Sequence, residues 1–230
     1  MNILALDTSM GACSAALITR DGGARRVFAR AERMARGHAE ALMPMVDDIM
    51  HESGTAFGAL DRIAATTGPG SFTGVRIAIS AARGLALVTA AKLFGSDSLT
   101  VMAREAHDLS VTGGAPFAVA VDARRGMLYL GLYDEAARRR DGPLLIAPDD
   151  AANLLPGALR TAVGSGAARL AEAASARGLR VAAQLADLEP NAAALAALAE
   201  ESGETVSSLR PLYLRPPDAR PQTQAQARRC

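Results

Sequence analysis

A chain of 230 residues, half of them hydrophobic and 21% charged, has room for one large domain or two small ones. Its 25 Lys and Arg against 24 Asp and Glu leave a formal charge of +1, so no global field gathers nucleic-acid backbone. Only 3% of residues are aromatic and none is Trp, which leaves few rings for bases to stack on, and two cysteines, Cys13 and Cys230, are too few for a disulfide framework.

The opening MNILALDTS has no basic lead, and Asp7 breaks its apolar run, so a signal peptide is not expected and the chain reads as cytoplasmic. Ile3 to Leu6 reads as a strand that ends at Asp7. It crosses TSMG and returns as ACSAALI, and ARRVFARA then predicts a third strand of a meander. In HAEALMPMVDDIMHES, apolar residues recur at helical spacing, and Pro44 predicts a kink or a late start. RIAATT reads as a buried strand that enters the loop GPGSFTG, from which a helix is expected over about Gly74 to Ala91. Arg83 interrupts this helix and Arg76 and Lys92 flank it, so no membrane span or membrane partner is expected. SLTVMAREAHDL predicts another helix, capped by Ser98 or Thr100, and residues 110–116 are the best candidate boundary.

Beyond the boundary the pattern recurs. FAVAVDARRGMLYLGLYDE places Asp122 at a strand end with a glycine four residues on, as Asp7 and Gly11 are placed, and 122 − 7 = 115 is half the chain. TAVGSG followed by AARLAEAASARG repeats the strand, glycine turn and helix seen around residue 70. Two copies of one α/β unit follow from this pattern, over residues 1–109 and 110–216. EPNAAALAALAEE, opened by Pro190 and Asn191, predicts a last helix that is a candidate for returning to the first lobe. Residues 217–230 are polar and Pro-rich and are expected to be a mobile, weakly basic arm.

The glycine loop fails both standard phosphate signatures. Val75 stands where a P-loop needs lysine, and Gly68, Gly70 and Gly74 are spaced one residue too long for a dinucleotide loop. It can be an anion site at a helix start or a plain turn and cap, with Ser71 or Thr73 as the cap. His38, His51 and His107 lack the spacing of a helical metal pair, so no metal site is expected. Ser71 in PGSFT and Ser165 in VGSGA do not form a nucleophile elbow, and Cys13 follows a strand turn, so a hydrolase has weak support. The Ala-rich helix behind Arg76 and the Met-rich helix before it suit close packing against a partner, or equally against the chain's own core.

Strands that hairpin around an acidic turn, duplicated, resemble the actin-like ATPase superfamily, whose members hold ATP and its metal between two such turns. More specific words, ILALDTSMGACSAAL, GHAEALMP, GPGSFTGVRIA, VDARRGMLY and PLYLR, stand in the order seen in the bacterial TsaB (YeaZ) family. The likeness covers residues 1 to about 216, and Ala78 stands where that family commonly has glycine. This resemblance implies a duplicated actin-like (ribonuclease H-like) α/β fold in which each lobe has a mixed sheet flanked by helices. It implies no required cofactor and at most weak ATP or ADP binding at Asp7, Thr8, Ser9, Gly68, Gly70, Ser71 and Asp122. It also implies an accessory role, with no catalytic residues, in threonylcarbamoylation of tRNA. The partner would be TsaD, with TsaE in a ternary complex, a homodimer when alone, and tRNA reached only through the complex. The interface expected on the two helices is His38, Leu42, Met45, Ile49, Arg76, Ile79, Ala82, Arg83, Leu85 and Ala86. The alternatives from other classes are an independent ATP-binding phosphotransferase and a glycopeptidase-like hydrolase.

Overall fold

The first strand is apolar on both faces because it lies in the middle of a sheet covered on both sides. In the computed structural model, which describes residues 1–215, β1 (Asn2–Asp7) pairs antiparallel with β2 (Ala12–Asp21) and parallel with β4 (Arg62–Thr66). β2 turns through Gly22 and Gly23, both at positive φ, into β3 (Ala24–Arg33), which forms one edge; β5 (Lys92–Ser96) forms the other. The order is β3-β2-β1-β4-β5.

One face of this sheet is covered by α1 (His38–Ser53) and α2 (Phe72–Thr89), whose Leu42, Val46, Ile49, Val75, Ile79 and Ala82 pack on Leu4, Leu6 and Leu17. The opposite face is covered by α6 (Ala192–Glu201) with Val101 of α3 (Ser98–Asp108), packed on Ile3, Ala5 and Ile18. α3 turns its remaining apolar side, Leu99, Met102 and Ala106, to the second sheet. That sheet runs β10-β9-β6-β7-β8 and consists of β6 (Phe117–Asp122), β7 (Leu128–Tyr133), β8 (Arg139–Ile146), β9 (Thr161–Val163) and β10 (Ala182–Gln184). α4 (Pro148–Leu154) and α5 (Ala167–Ser175) cover its outer face. Read from β8, it repeats the first sheet: a three-stranded antiparallel meander followed by two parallel strands. The duplicated α/β fold expected from the paired Asp-Gly turns is therefore present.

Local expectations need four adjustments. α1 starts at His38 and runs through Pro44, which lies on its exposed side, so the late start does not occur. α2 begins two residues earlier than expected, at Phe72, capped by Ser71, whose Oγ accepts from the Gly74 amide at 3.3 Å. α3 is capped by Asp97, one residue before Ser98 and three before Thr100; its two oxygens take the Thr100 amide and hydroxyl at 3.0 and 2.6 Å. β5, β8, β10 and α4 carry no signal that the sequence reading recognised. The arm expected over 217–230 lies outside the described residues.

After α6 the chain returns across the first lobe as a strap. Val206 bridges to Leu93, Leu209 enters the core beside α2, and the Leu212 amide donates to the Thr67 carbonyl at 2.7 Å. Arg83 of α2 donates to Ser208 Oγ at 3.2 Å and to the Leu209 carbonyl. Arg76 donates to the Tyr213 hydroxyl at 2.7 Å, with its guanidinium 3.6 Å from the centre of the Phe72 ring, which itself stacks on Tyr213 at 5.2 Å. By length and composition alone α2 could cross a membrane. Here Val75, Ala78, Ile79 and Ala82 are buried against the sheet and both of its arginines are engaged by the strap.

Candidate functional site

β1 delivers Asp7 to the end of the first sheet, but the glycine loop closes over it. The Ser71 amide donates to the Ser9 carbonyl at 2.7 Å, and Thr8 Oγ1 both donates to the Gly74 carbonyl at 2.7 Å and accepts from the Ala78 amide at 3.1 Å. Gly70 and Gly74 permit this approach: a Cβ on the first would fall onto the Ser9 carbonyl, and on the second onto the Thr8 carbonyl. Asp7, Thr8 and Ser9 are consequently 0% exposed, and Gly68 is buried with them.

Within that enclosure Asp7 Oδ1 accepts from the Ser9 hydroxyl at 2.7 Å, the Ser9 amide at 3.2 Å and the Thr66 hydroxyl. Oδ2 has no hydrogen-bond partner among the described residues. Loss of hydration raises the carboxyl from 3.8 to about 6; the bonds from Thr66 and Ser9 oppose the rise and the charge of Glu189 adds to it. Glu189 itself accepts from the Gly11 amide at 3.0 Å, and burial raises its carboxyl too.

The second acidic turn is open. The Asp122 side chain is 47% exposed, accepts from the Arg124 amide at 2.9 Å and faces Arg169 at 3.2 Å, while its own amide donates to Ser165 Oγ at 3.0 Å. It lies on an interlobe cleft of about 940 Å³, lined among others by Met34, Arg36, His38, Gly70, Ser71, Arg124 and Arg215. Of the seven residues expected to contact a nucleotide, Gly70, Ser71 and Asp122 line this cleft. Asp7, Thr8, Ser9 and Gly68 lie sealed beneath the loop, so the two carboxylates do not face a shared ligand. His38 and Ser71 share the cleft without forming a catalytic pair: His38 Nε2 lies 3.2 Å from the Met10 carbonyl, and Ser71 caps α2.

The expected interface set also divides. Leu42, Ile49, Ile79 and Ala82 are at most 2% exposed and belong to the lobe's own core, so they cannot meet a partner in this fold. The apolar spacing that singled them out marks the buried stripe. Met45, Leu85 and Ala86 are half-buried against the same core. Arg76 and Arg83 are exposed but tied to the strap. The outward positions are others: Phe72 is 43% exposed, Leu87 87% and Val88 79%. The signal was available, since Leu87 and Val88 are apolar residues out of phase with the buried stripe. The cleft arginines Arg124 and Arg215 stood in VDARRGMLY and PLYLR, and were not read as a group with Arg36.

Among known proteins, the sequence profile described as TsaD, tRNA N6-adenosine threonylcarbamoyltransferase, matches residues 30–202. The tRNA threonylcarbamoyladenosine biosynthesis protein TsaB of Escherichia coli is 42% identical over 133 residues, covering 58% of this chain and 55% of that protein. An uncharacterized protein of Mycobacterium leprae is 31% identical over 224 residues, covering 96% of this chain and 56% of its own length. The match thus spans about half the length of these curated relatives. A solved structure of YeaZ from Pseudomonas aeruginosa superimposes with a TM-score of 0.79 at 33% identity, covering 93% of this chain and 100% of that one. A second Pseudomonas aeruginosa structure, described as similar to peptidase YEAZ, does so at 0.80 and 34%, covering 93% and 99%. By that profile and by a likeness running the whole length of YeaZ, the chain belongs to the TsaB/YeaZ branch of the TsaD family, within the actin-like ATPase superfamily.

Proposed function

We propose that the chain is a non-catalytic scaffold in the making of threonylcarbamoyladenosine on tRNA. It dimerises with TsaD and activates it to transfer a threonylcarbamoyl group from its adenylate to N6 of the adenosine beside the anticodon, in tRNAs that read codons beginning with A. TsaE joins the pair, tRNA is reached only through the complex, and in isolation the same face pairs two copies of the chain. Any nucleotide contact is weak, because Asp7 is sealed and Asp122 is engaged by Arg169.

One observation carries the reading. α2 buries one face in its lobe and leaves Phe72, Leu87 and Val88 to solvent on another, an arrangement that exposes apolar area at a cost unless a partner covers it. The test is the double variant Leu87→Glu with Val88→Glu. Both side chains are exposed, so the protein should keep its circular dichroism spectrum and thermal midpoint. It should fail to co-elute with TsaD and leave tRNA modification at the level of TsaD alone. Unchanged co-elution would overturn the reading.

A further inference from the structure

The interlobe cleft has a charge pattern that the scaffold reading does not use. Three guanidinium groups reach it from three separate elements: Arg36 from the β3–α1 loop, Arg124 from the β6–β7 turn and Arg215 from the end of the strap. Many arginines elsewhere are satisfied within the fold, such as Arg20 and Arg25 on Glu200, Arg30 on Glu52, Arg104 on Asp108 and Glu201, and Arg139 on Asp97, and the others without an acceptor among the described residues, such as Arg138, Arg180 and Arg210, do not line this cleft. The side chains of Arg36, Arg124 and Arg215 have no acceptor among the described residues. The acids of the cleft do not balance them. Asp122 is taken by Arg169 and the Arg124 amide, and Glu189 by the Gly11 amide, which leaves Glu40. Arg124 is held at φ 61°, a left-handed conformation that costs a non-glycine residue of order 1 kcal/mol and that the Asp122 side chain props from below.

The rest of the lining decides what kind of anion fits. Between the arginines lie Met10, Met34, Ile77, Val121 and Leu188, so about half of the surface is apolar, and methionine adapts its shape to what it meets. Of the two aromatic residues that line the cleft, Phe72 already lies under Arg76, which leaves Tyr129 alone as a ring for a base, and no open pair of carboxylates is present to hold a nucleotide's magnesium. Carboxylates interleaved with aliphatic side chains match both features, since each guanidinium can take a carboxylate by two parallel hydrogen bonds.

We propose that the cleft binds an extended acidic segment of a partner protein, its carboxylates on Arg36, Arg124 and Arg215 and its apolar side chains on Met10, Met34 and Ile77. The site touches α2 at Phe72 and lies apart from the Leu87–Val88 end of its outer face. Phe72 and Leu87 are fifteen residues apart on one helix, roughly 22 Å, so a partner on Leu87 and Val88 does not by itself fill the cleft.

Fluorescence anisotropy on the full chain tests this, with a fluorescein-labelled peptide that alternates glutamate with leucine and methionine. Saturable binding is expected, weakening as salt is raised, because exposed charges are screened. The double variant Arg36→Gln with Arg124→Gln should bind about tenfold more weakly, the loss for two partly solvated ion pairs. Leu87→Glu with Val88→Glu should bind as the wild type does, which separates this site from the TsaD reading. Equal binding of a peptide with glutamine in place of glutamate would overturn the proposal, and so would unchanged binding by the arginine variant. Inorganic tripolyphosphate displacing the labelled peptide at lower concentration than the unlabelled peptide does would assign the cleft to phosphates and also overturn it.

Discussion

Replacing Asp7 by asparagine should stabilise the protein at neutral pH. The carboxyl is fully enclosed, and its elevation from 3.8 to about 6 means that ionising it in the folded state costs about 3 kcal/mol more than in the unfolded chain. An asparagine Oδ1 can keep the bonds from Ser9 and Thr66, and Nδ2 takes the place of Oδ2, which accepts nothing. The new amide is itself a buried donor without a partner, at about 1–2 kcal/mol, so the expected net gain is about 1–2 kcal/mol. For a chain of this size that corresponds to a rise in melting temperature of roughly 2–8 °C. The sign with pH follows from the elevation. Below about pH 4 the acid is neutral in both states and its contribution is intact. As pH rises through about 6 the folded state must also ionise it, and that contribution is lost. Thermal melts of wild type and variant between pH 4 and 8 should therefore diverge as pH rises and run parallel above about 7. A variant less stable at pH 8, or a difference independent of pH, would refute the reasoning. In a scaffold the same variant should still support tRNA modification by TsaD, whereas an ATP-dependent enzyme built on this aspartate would be inactive.

Gly74→Ala should cost about 2 kcal/mol or more, because the added methyl falls onto the Thr8 backbone rather than onto a movable side chain; a melting temperature within 2 °C of wild type would contradict the sealed-loop geometry. Leu209→Ala should cost about 2–5 kcal/mol by leaving a hole between strap and α2, and should speed proteolysis near residue 209. Ala82→Glu should unfold the first lobe, because it forces a charge into a position with 0% exposure. Loss of TsaD binding in that variant, with circular dichroism unchanged, would mean that α2 is packed differently from the arrangement described here.

Much of the architecture was legible because it is repeated. Asp7 with Gly11 and Asp122 with Gly126 announce the same hairpin twice, and the apolar runs ahead of them are central strands buried on both faces. β8 was not legible: Gly142 and Pro143 stand inside it and read as a turn, and none of its residues is fully buried. β5 and β10 are short edge strands, which need little apolar content. Ser98 and Thr100 stood out over Asp97 because helix-start spacing locates a cap only to within a few residues, and the Arg139 contact that completes the Asp97 site comes from the other lobe. The candidate site was least legible where periodicity was strongest. Leu42, Ile49, Ile79 and Ala82 were prominent because the fold consumes them, whereas Leu87, Val88 and the cleft arginines follow no period.

The route of the chain after residue 190 sets the order in which the molecule can be made. α6 and the strap belong to the first lobe, and Leu195, Ala199 and Leu209 fill its two cores. The second sheet, Phe117 to Gln184, lies wholly between them in sequence. A chain leaving the ribosome can therefore complete its second lobe first. The lobe that begins at the N-terminus stays open, with the inner face of its sheet uncovered, until residues 192–212 have emerged. Synthesis that stops shortly after residue 190 leaves a finished second lobe attached to an unfinished first one, with α2 not yet fastened through Arg76 and Arg83. A partner that recognises α2 held by its strap thus recognises a chain that has been made at least as far as Tyr213.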